Sequence, residues 1–461
     1  MANTIIIQKP KHSRLPVGQD IIFAVSNNLA VANNLKAKFI AEVHISSNTL
    51  PVPGTNTHVV GTFKTTPNNA GVGMFDFRPI VESYLKADNL AALGSKYKLE
   101  PTSDLKRHPL HLIDQYSKNT NCVVYLMIQF TIQYFKGDNQ LVTLKPIASK
   151  AYTVFNGYLK YSDILTLDGV DFGYNLKDFN LNSTSKKFLT NAPLIQNANL
   201  EDYGTMPFLT LNNPIDRIRI AYYDSAGGGL AIEYITFEDS TGAYDYWTKI
   251  TSNELLFVGC FPANLRGWST TFQNLVTAGT IQGGHYRINV VDNTNTLISD
   301  TYRINVTCPN LKGYEPIRLT WLNQWGGWDY YTFTMKSTRM ISTKGSTYNQ
   351  LAGTWNEKAY RIDSFKGGKK AFRVNATEKV TMNTDFVNES ESQWFEELIN
   401  SPEVYILEGF QDDSALSALN QYVTPVRLTT SSYTRKTVAN DKLMQYTFEV
   451  EKSKTLRTQS V

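Results

Sequence analysis

The clearest pattern along this chain is alternation of apolar and polar positions with a period of two. From Leu35 to Ile45 every odd position is apolar: Leu35, Ala37, Phe39, Ala41, Val43 and Ile45. Lys36, Lys38, Glu42 and His44 stand between them, and Ile40 is the one exception. Successive side chains of a strand point to opposite faces, so this spacing predicts a half-buried antiparallel strand. Tyr286, Ile288, Val290 and then Tyr302, Ile304, Val306 repeat it on either side of the turn-rich run Asp292-Asn-Thr-Asn-Thr, which predicts a hairpin. Tyr446, Phe448 and Val450 alternate with Thr447, Glu449 and Glu451 and predict a last strand. Gly227-Gly228-Gly229 lies between two such stripes and reads as a hairpin turn.

Helical spacing is rare. Pro79 to Leu85 places Pro at a first helical position with Ile80, Val81 and Tyr84 on one face, which predicts a short helix. In Asn388–Ile399, acidic residues crowd the first turn, where the helix dipole favours negative charge. Trp394, Phe395, Leu398 and Ile399 follow as an apolar stripe, and Ser401-Pro402 ends it, giving a helix over 389–399.

These elements predict a mainly β protein: tandem antiparallel β-sandwich and β-barrel domains with a few short helices. Three domains are expected. Residues 1–190 form an N-terminal β-sandwich with an irregular arm at about 157–185. Residues 191–308 form an immunoglobulin-like sandwich. Residues 309–461 form a barrel-like α+β domain that carries the helix.

Composition supports this and excludes some functions. Of 461 residues, 42% are hydrophobic, enough for real cores, and 26 Tyr and 23 Phe suit pleated, half-buried surfaces. Forty-five basic residues against 41 acidic give a net charge of +4, which does not point to nucleic acid. The run Lys366-Gly-Gly-Lys369-Lys370 reads as a hairpin tip. Cys122, Cys260 and Cys308 lie too far apart for a disulfide framework or a zinc site. The N-terminus shows no secretory pattern, and the apolar run near Cys122–Phe130 is well short of the ~20 residues a membrane helix needs.

Candidate chemistry is sparse. His108-Pro109-Leu110-His111 is the nearest approach to a metal pair, and its Pro makes it a loop. His44 and His285 read as strand-surface residues. No nucleophile elbow or phosphate-binding loop is present. The expectation is a non-enzyme with no cofactor and no metal.

One cluster stands out. Trp321, Trp325, Trp328, Tyr330 and Tyr331 surround Gly326-Gly327. A glycine pair suits a turn where the chain approaches another backbone, with the rings anchoring a sheet corner or subunit contact, and Trp394 joins them as a packing candidate. An exposed aromatic cluster would also stack on sugar rings, so a carbohydrate- or receptor-binding protein is the alternative.

The stretch Glu315-Pro-Ile-Arg-Leu-Thr-Trp-Leu-Asn-Gln-Trp-Gly-Gly-Trp-Asp-Tyr-Tyr-Thr-Phe resembles virion proteins of tailed phages infecting Bacteroidetes. So does the C-terminal series Trp394–Leu407, Tyr422–Leu428, Ser432–Thr437 and Asn440–Glu451, and, more loosely, Gly73–Leu85. The resemblance implies a structural component of a virion, in the tail, baseplate or neck region, made in the bacterial cytoplasm. It implies a homo-oligomeric ring that docks other virion proteins, with a host-surface glycan as a further partner and neither nucleic acid nor membrane insertion. Unpaired strand edges would serve such contacts. The 157–185 segment and the tail Lys452–Val461 are the expected exchange arms.

Overall fold

The computed structural model describes residues 5–27, 36–46, 50–52, 58–87, 110, 116–118, 122–136, 139–160, 187–210, 217–236, 254–292, 294–307, 313–354, 358–408, 423–434, 444–454 and 456–457. The protein is mainly β, with four helices among the described residues. The chain divides into two compact units. One comprises Met1–Thr307, Leu322–Asp329 and Gln411–Leu416; the other comprises Cys308–Trp321, Tyr330–Phe410 and Ser417–Val461.

In the first unit, a three-stranded sheet (Ile5–Gln8, Ile22–Ser26, Val72–Asp76) faces a seven-stranded sheet centred on Lys38–Ser46 and Val123–Phe135. The expected odd-position stripe is real: Ala37, Phe39, Ala41, Val43 and Ile45 all sit in the shared core. Phe23, from the small sheet, lies 5.6 Å from Phe130 and 5.7 Å from Tyr152, ring to ring, which closes the sandwich. The Lys38–Ser46 strand is covered on its second face too, since Ile40 and His44 are buried. His44 is therefore not the strand-surface residue expected. It lies against Glu42, with Nε2 2.9 Å from the carboxylate. The short helix forms at Arg78–Glu82, with Pro79 in its first turn.

A second sheet pair follows in the same unit. Its five-stranded sheet runs Ile195–Asn199, Tyr302–Thr307, His285–Val291, Arg217–Tyr223, Gly229–Thr236. Both expected hairpin turns are present, and Gly227 adopts φ +87° between the last two of these strands. The three-stranded partner is Thr205–Thr210, Glu254–Gly259 and Tyr116–Lys118. The last of these strands comes from well before residue 190, so pairing crosses the expected boundary there. Strands alone do not describe this part. Ile195–Asn199 runs parallel to Tyr302–Thr307, and helices Pro262–Trp268 and Thr270–Thr277 cover the core. Ser269 caps the second helix by accepting from the Phe272 N–H, and Phe272 packs 5.6 Å from Tyr222.

The second unit is built on an eight-stranded sheet. Its order is Trp328–Phe333, Ile317–Leu322, Val404–Leu407, Val423–Leu428, Thr447–Lys452, Gly368–Asn383, Ser337–Gln350, with Leu456–Arg457 beside Gly368–Asn383. The expected barrel is corrected: this sheet is open, and no sheet closes among the described residues. Its last two strands run on past their neighbours instead of curling back to the first. The helix Glu389–Asn400 crosses the sheet and buries Trp394, Phe395 and Leu398. Its start is a reciprocal capping box: Asn388 Oδ1 accepts from the Glu391 N–H, and the Glu391 carboxylate accepts from the Asn388 N–H.

Candidate functional surfaces

The aromatic segment separates into a turn and a core. The turn, residues 322–329, belongs to the first unit. Asn323 organises it. Its Oδ1 accepts from the N–H groups of Trp325 (3.0 Å) and Gly327 (2.9 Å), and its Nδ2 donates to Leu189 O (2.9 Å) and to Asp329 Oδ1 (3.1 Å). The same Asp329 oxygen accepts from the Thr190 hydroxyl at 2.6 Å. Gly326 takes φ +79°, and a Cβ there would lie 2.3 Å from the carbonyl oxygen of Asn156. A Cβ on Gly327 would lie 2.4 Å from Pro207. The glycine pair therefore serves close backbone approach.

The flanking residues build the core of the second unit. Trp321 lies 4.9 Å from Trp394, and Tyr331 lies 4.9 Å from Phe395, ring to ring. Phe395 reaches Phe448 at 5.5 Å. Burial, with the Glu391 charge adding to it, holds the Tyr331 hydroxyl well above the usual phenol range. Arg318 lies over the Tyr330 ring at 5.3 Å.

All eight residues singled out in the sequence are thus placed, and the reading of them as an exposed aromatic platform is corrected. Trp321 and Trp328 are 0% exposed, Trp325 and Tyr330 3%. A ring that shows no face to solvent cannot stack on a sugar. Asn323 and Asp329 escaped the sequence reading. The available signal was an Asn three residues before a turn glycine, a spacing that lets its amide mimic a backbone turn.

Among the described residues no three His, Cys, Asp or Glu gather where they could hold a metal ion. Cys122 and Cys260 are buried thiols, and burial pushes Cys260 far above the thiolate range. His108, His111 and Cys308 lie outside the described residues. His285 is buried, not on a strand surface: its ring stacks on Tyr223 at 4.8 Å. No described helix is long and apolar enough to cross a membrane.

The exposed feature is elsewhere. Ser337–Gln350 and Gly368–Asn383 pair along their whole length as one antiparallel ribbon. At about 3.4 Å per residue, fourteen residues extend roughly 45 Å. Beyond Asn375, among the described residues, the two strands have only each other. Large apolar side chains are nevertheless exposed on it and on the connection at its outer end. Ile341 is 62% exposed, with Met340 and Phe372 also exposed, and in the connection Tyr360 is 73%, Ile362 69% and Phe365 72% exposed, with Leu351 beside them. Lys366-Gly-Gly-Lys369-Lys370 sits near its outer end, where Gly367 and Gly368 take positive φ. The Lys370 ammonium donates to Phe365 O, and Asp363 pairs with Arg361 (3.1 Å) and Lys366 (3.3 Å).

The expected exchange arms fare differently. Residues 161–186 lie outside the described residues, while Tyr158 donates its backbone N–H to Gln324 O. The tail begins inside the sheet: Lys452 ends a paired strand and Leu456–Arg457 pair with Ala376 and Asn375 of their own chain. No family model matches the chain, and no curated protein matches it.

Proposed function

We propose that this chain is a structural component of a tailed-phage particle, in the tail, baseplate or neck region, which assembles with copies of itself and docks neighbouring virion proteins. The observation that carries the reading is the ribbon. An isolated two-stranded hairpin is marginal in water, and this one holds Met340, Ile341 and Phe372 on its strands and Tyr360, Ile362 and Phe365 at its outer end in solvent. Burying each such side chain is worth about 1.5–3 kcal/mol, so a protein partner for it is strongly favoured. The buried Trp clusters and open sheets agree with a scaffold whose stability is internal and whose contacts are made by strand edges. The resemblance of the Glu315–Phe333 stretch and of the C-terminal strands to phage virion proteins supplies the particle.

Negative-stain images of the purified full chain, over a concentration series, test this. Closed rings or regular stacks are expected. Isolated single copies at every concentration, with no binding to other virion proteins, would overturn it.

A further inference from the structure

The ribbon is set apart by charge as well as by exposure. Residues 337–377 carry eight Lys and Arg against two Asp and Glu, while the remaining 37 basic and 39 acidic residues of the chain nearly cancel. The next stretch has the opposite character. Glu378 to Glu408 contains eight acidic residues and one basic. Glu397 is buried and Glu391 caps its own helix, so the charge presented outward comes from Glu389, Glu396, Glu403 and Glu408.

Strand register sorts the ribbon's cations. Arg373 is opposite Ser346 and Lys370 is opposite Tyr348. Side chains of alternate residues share a face, so Lys344, Lys370 and Arg373 lie on the same face as Met340 and Tyr348. Arg339 is already neutralised by Glu315 and Glu378, and Arg361 and Lys366 by Asp363. Among the described residues, Lys344, Lys369, Lys370 and Arg373 have no carboxylate partner in their own chain. The face shared by Lys344, Lys370 and Arg373 is therefore cationic with Met340 and Tyr348 interleaved, while Lys369, opposite Asn349, lies on the other face. A polyanion such as nucleic acid would meet the charges but leave the exposed Met340 on the same face without a use. An acidic protein surface satisfies both.

We infer that the ribbon's Lys344–Lys370–Arg373 face docks on the acidic Glu389–Glu408 region of a second copy of this chain. This rests on the homo-oligomer reading above and names the two surfaces involved. They are different surfaces of one chain, so the contact is head-to-tail, which generates rings when it closes and filaments when it does not.

The test uses the full chain. Sedimentation velocity is run at about 50 and 500 mM salt on wild type, on K344E/K370E/R373E, and on that triple variant combined with E389K/E408K. Circular dichroism melts establish that each variant is folded. The ribbon positions and Glu408 lie at the surface, so melting temperatures close to wild type are expected for their substitution, while Glu389→Lys places a cation in the first helical turn and should lower the melting temperature slightly. Wild type should associate more tightly at low salt. The triple variant should associate at least about tenfold more weakly, and the combined variant should regain association, because like charges across an interface are strongly repulsive. Carbodiimide cross-linking of mixed light and ¹⁵N-labelled copies should join ribbon lysines of one copy to Glu389–Glu408 of the other. If the triple variant stays as oligomeric as wild type, or the intercopy cross-links lie elsewhere, the docking inference is wrong while the homo-oligomer reading stands. A wild-type chain monomeric at both salts removes the homo-oligomer reading itself. Binding of a DNA duplex by monomeric wild type, lost in the triple variant, would overturn the assignment of a protein partner.

Discussion

Asn323 and Asp329 meet across the Gly326-Gly327 turn, with the Asn323 amide nitrogen 3.1 Å from the Asp329 carboxylate. Each is 4% exposed or less, and each also bonds into the Leu189–Thr190 segment more than 130 residues earlier. The turn is locked by polar groups that the interior forces to be satisfied.

Asn323→Ala removes four hydrogen bonds at once and leaves the Leu189 carbonyl and two backbone N–H groups to find new partners. Buried polar groups left unsatisfied cost about 1–3 kcal/mol each, so a fall in stability of at least about 2 kcal/mol is expected. Urea unfolding of the full chain measures it. A midpoint within error of wild type would contradict the clamp.

Gly326→Ala separates close approach from backbone conformation. Gly326 and Gly227 both adopt positive φ, but a Cβ on Gly227 meets nothing within 4 Å, whereas one on Gly326 strikes the Asn156 carbonyl. Gly227→Ala should cost about 1–2 kcal/mol for left-handed strain alone. Gly326→Ala should cost clearly more, read as the difference between their melting temperatures. Equal shifts would mean that the Asn156 contact relaxes freely.

Trp394→Ala tests the second unit's core. It deletes a ring packed on Trp321 and on Phe395 at 5.5 Å. A loss of about 3–5 kcal/mol is expected, as for other buried Trp truncations. Loss of near-ultraviolet circular dichroism with a much lower melting temperature would show it. A mild effect would mean the helix is not anchored through this ring.

His285 gives a pH dependence of known sign. Burial, helped by the Arg303 and Arg287 charges, lowers its pKa below the ordinary value, against a smaller opposing effect of Asp224. In the unfolded chain it titrates near the usual ~6.5. As pH falls through 6.5 the unfolded state takes up the proton first, so the folded state loses stability towards acid until the folded pKa is passed. His285→Gln should flatten the decline in melting temperature between pH 7 and pH 5 relative to wild type. Parallel declines in the two proteins would remove His285 from the acid response.

The sequence by itself determined which segments are strands with a dry face and where one helix starts. The stripes at 37–45, 286–290 and 446–450 are fixed by a period of two, and the helix start by the Asn388–Glu391 spacing, because both are local geometry. It could not determine what lies on a strand's other face. Ile40 and His44 are buried, and Trp321 and Trp328 lose all exposure, because elements distant in sequence cover them. It also missed helices Pro262–Trp268 and Thr270–Thr277, whose Gly267 and β-branched residues are weak helix formers held by packing through Leu265 and Phe272. The Ser337–Gln350 strand has no apolar alternation to read; it is a strand because Gly368–Asn383 pairs with it. Only that pairing, formed across a long intervening hairpin, places Lys344, Lys370 and Arg373 on one face.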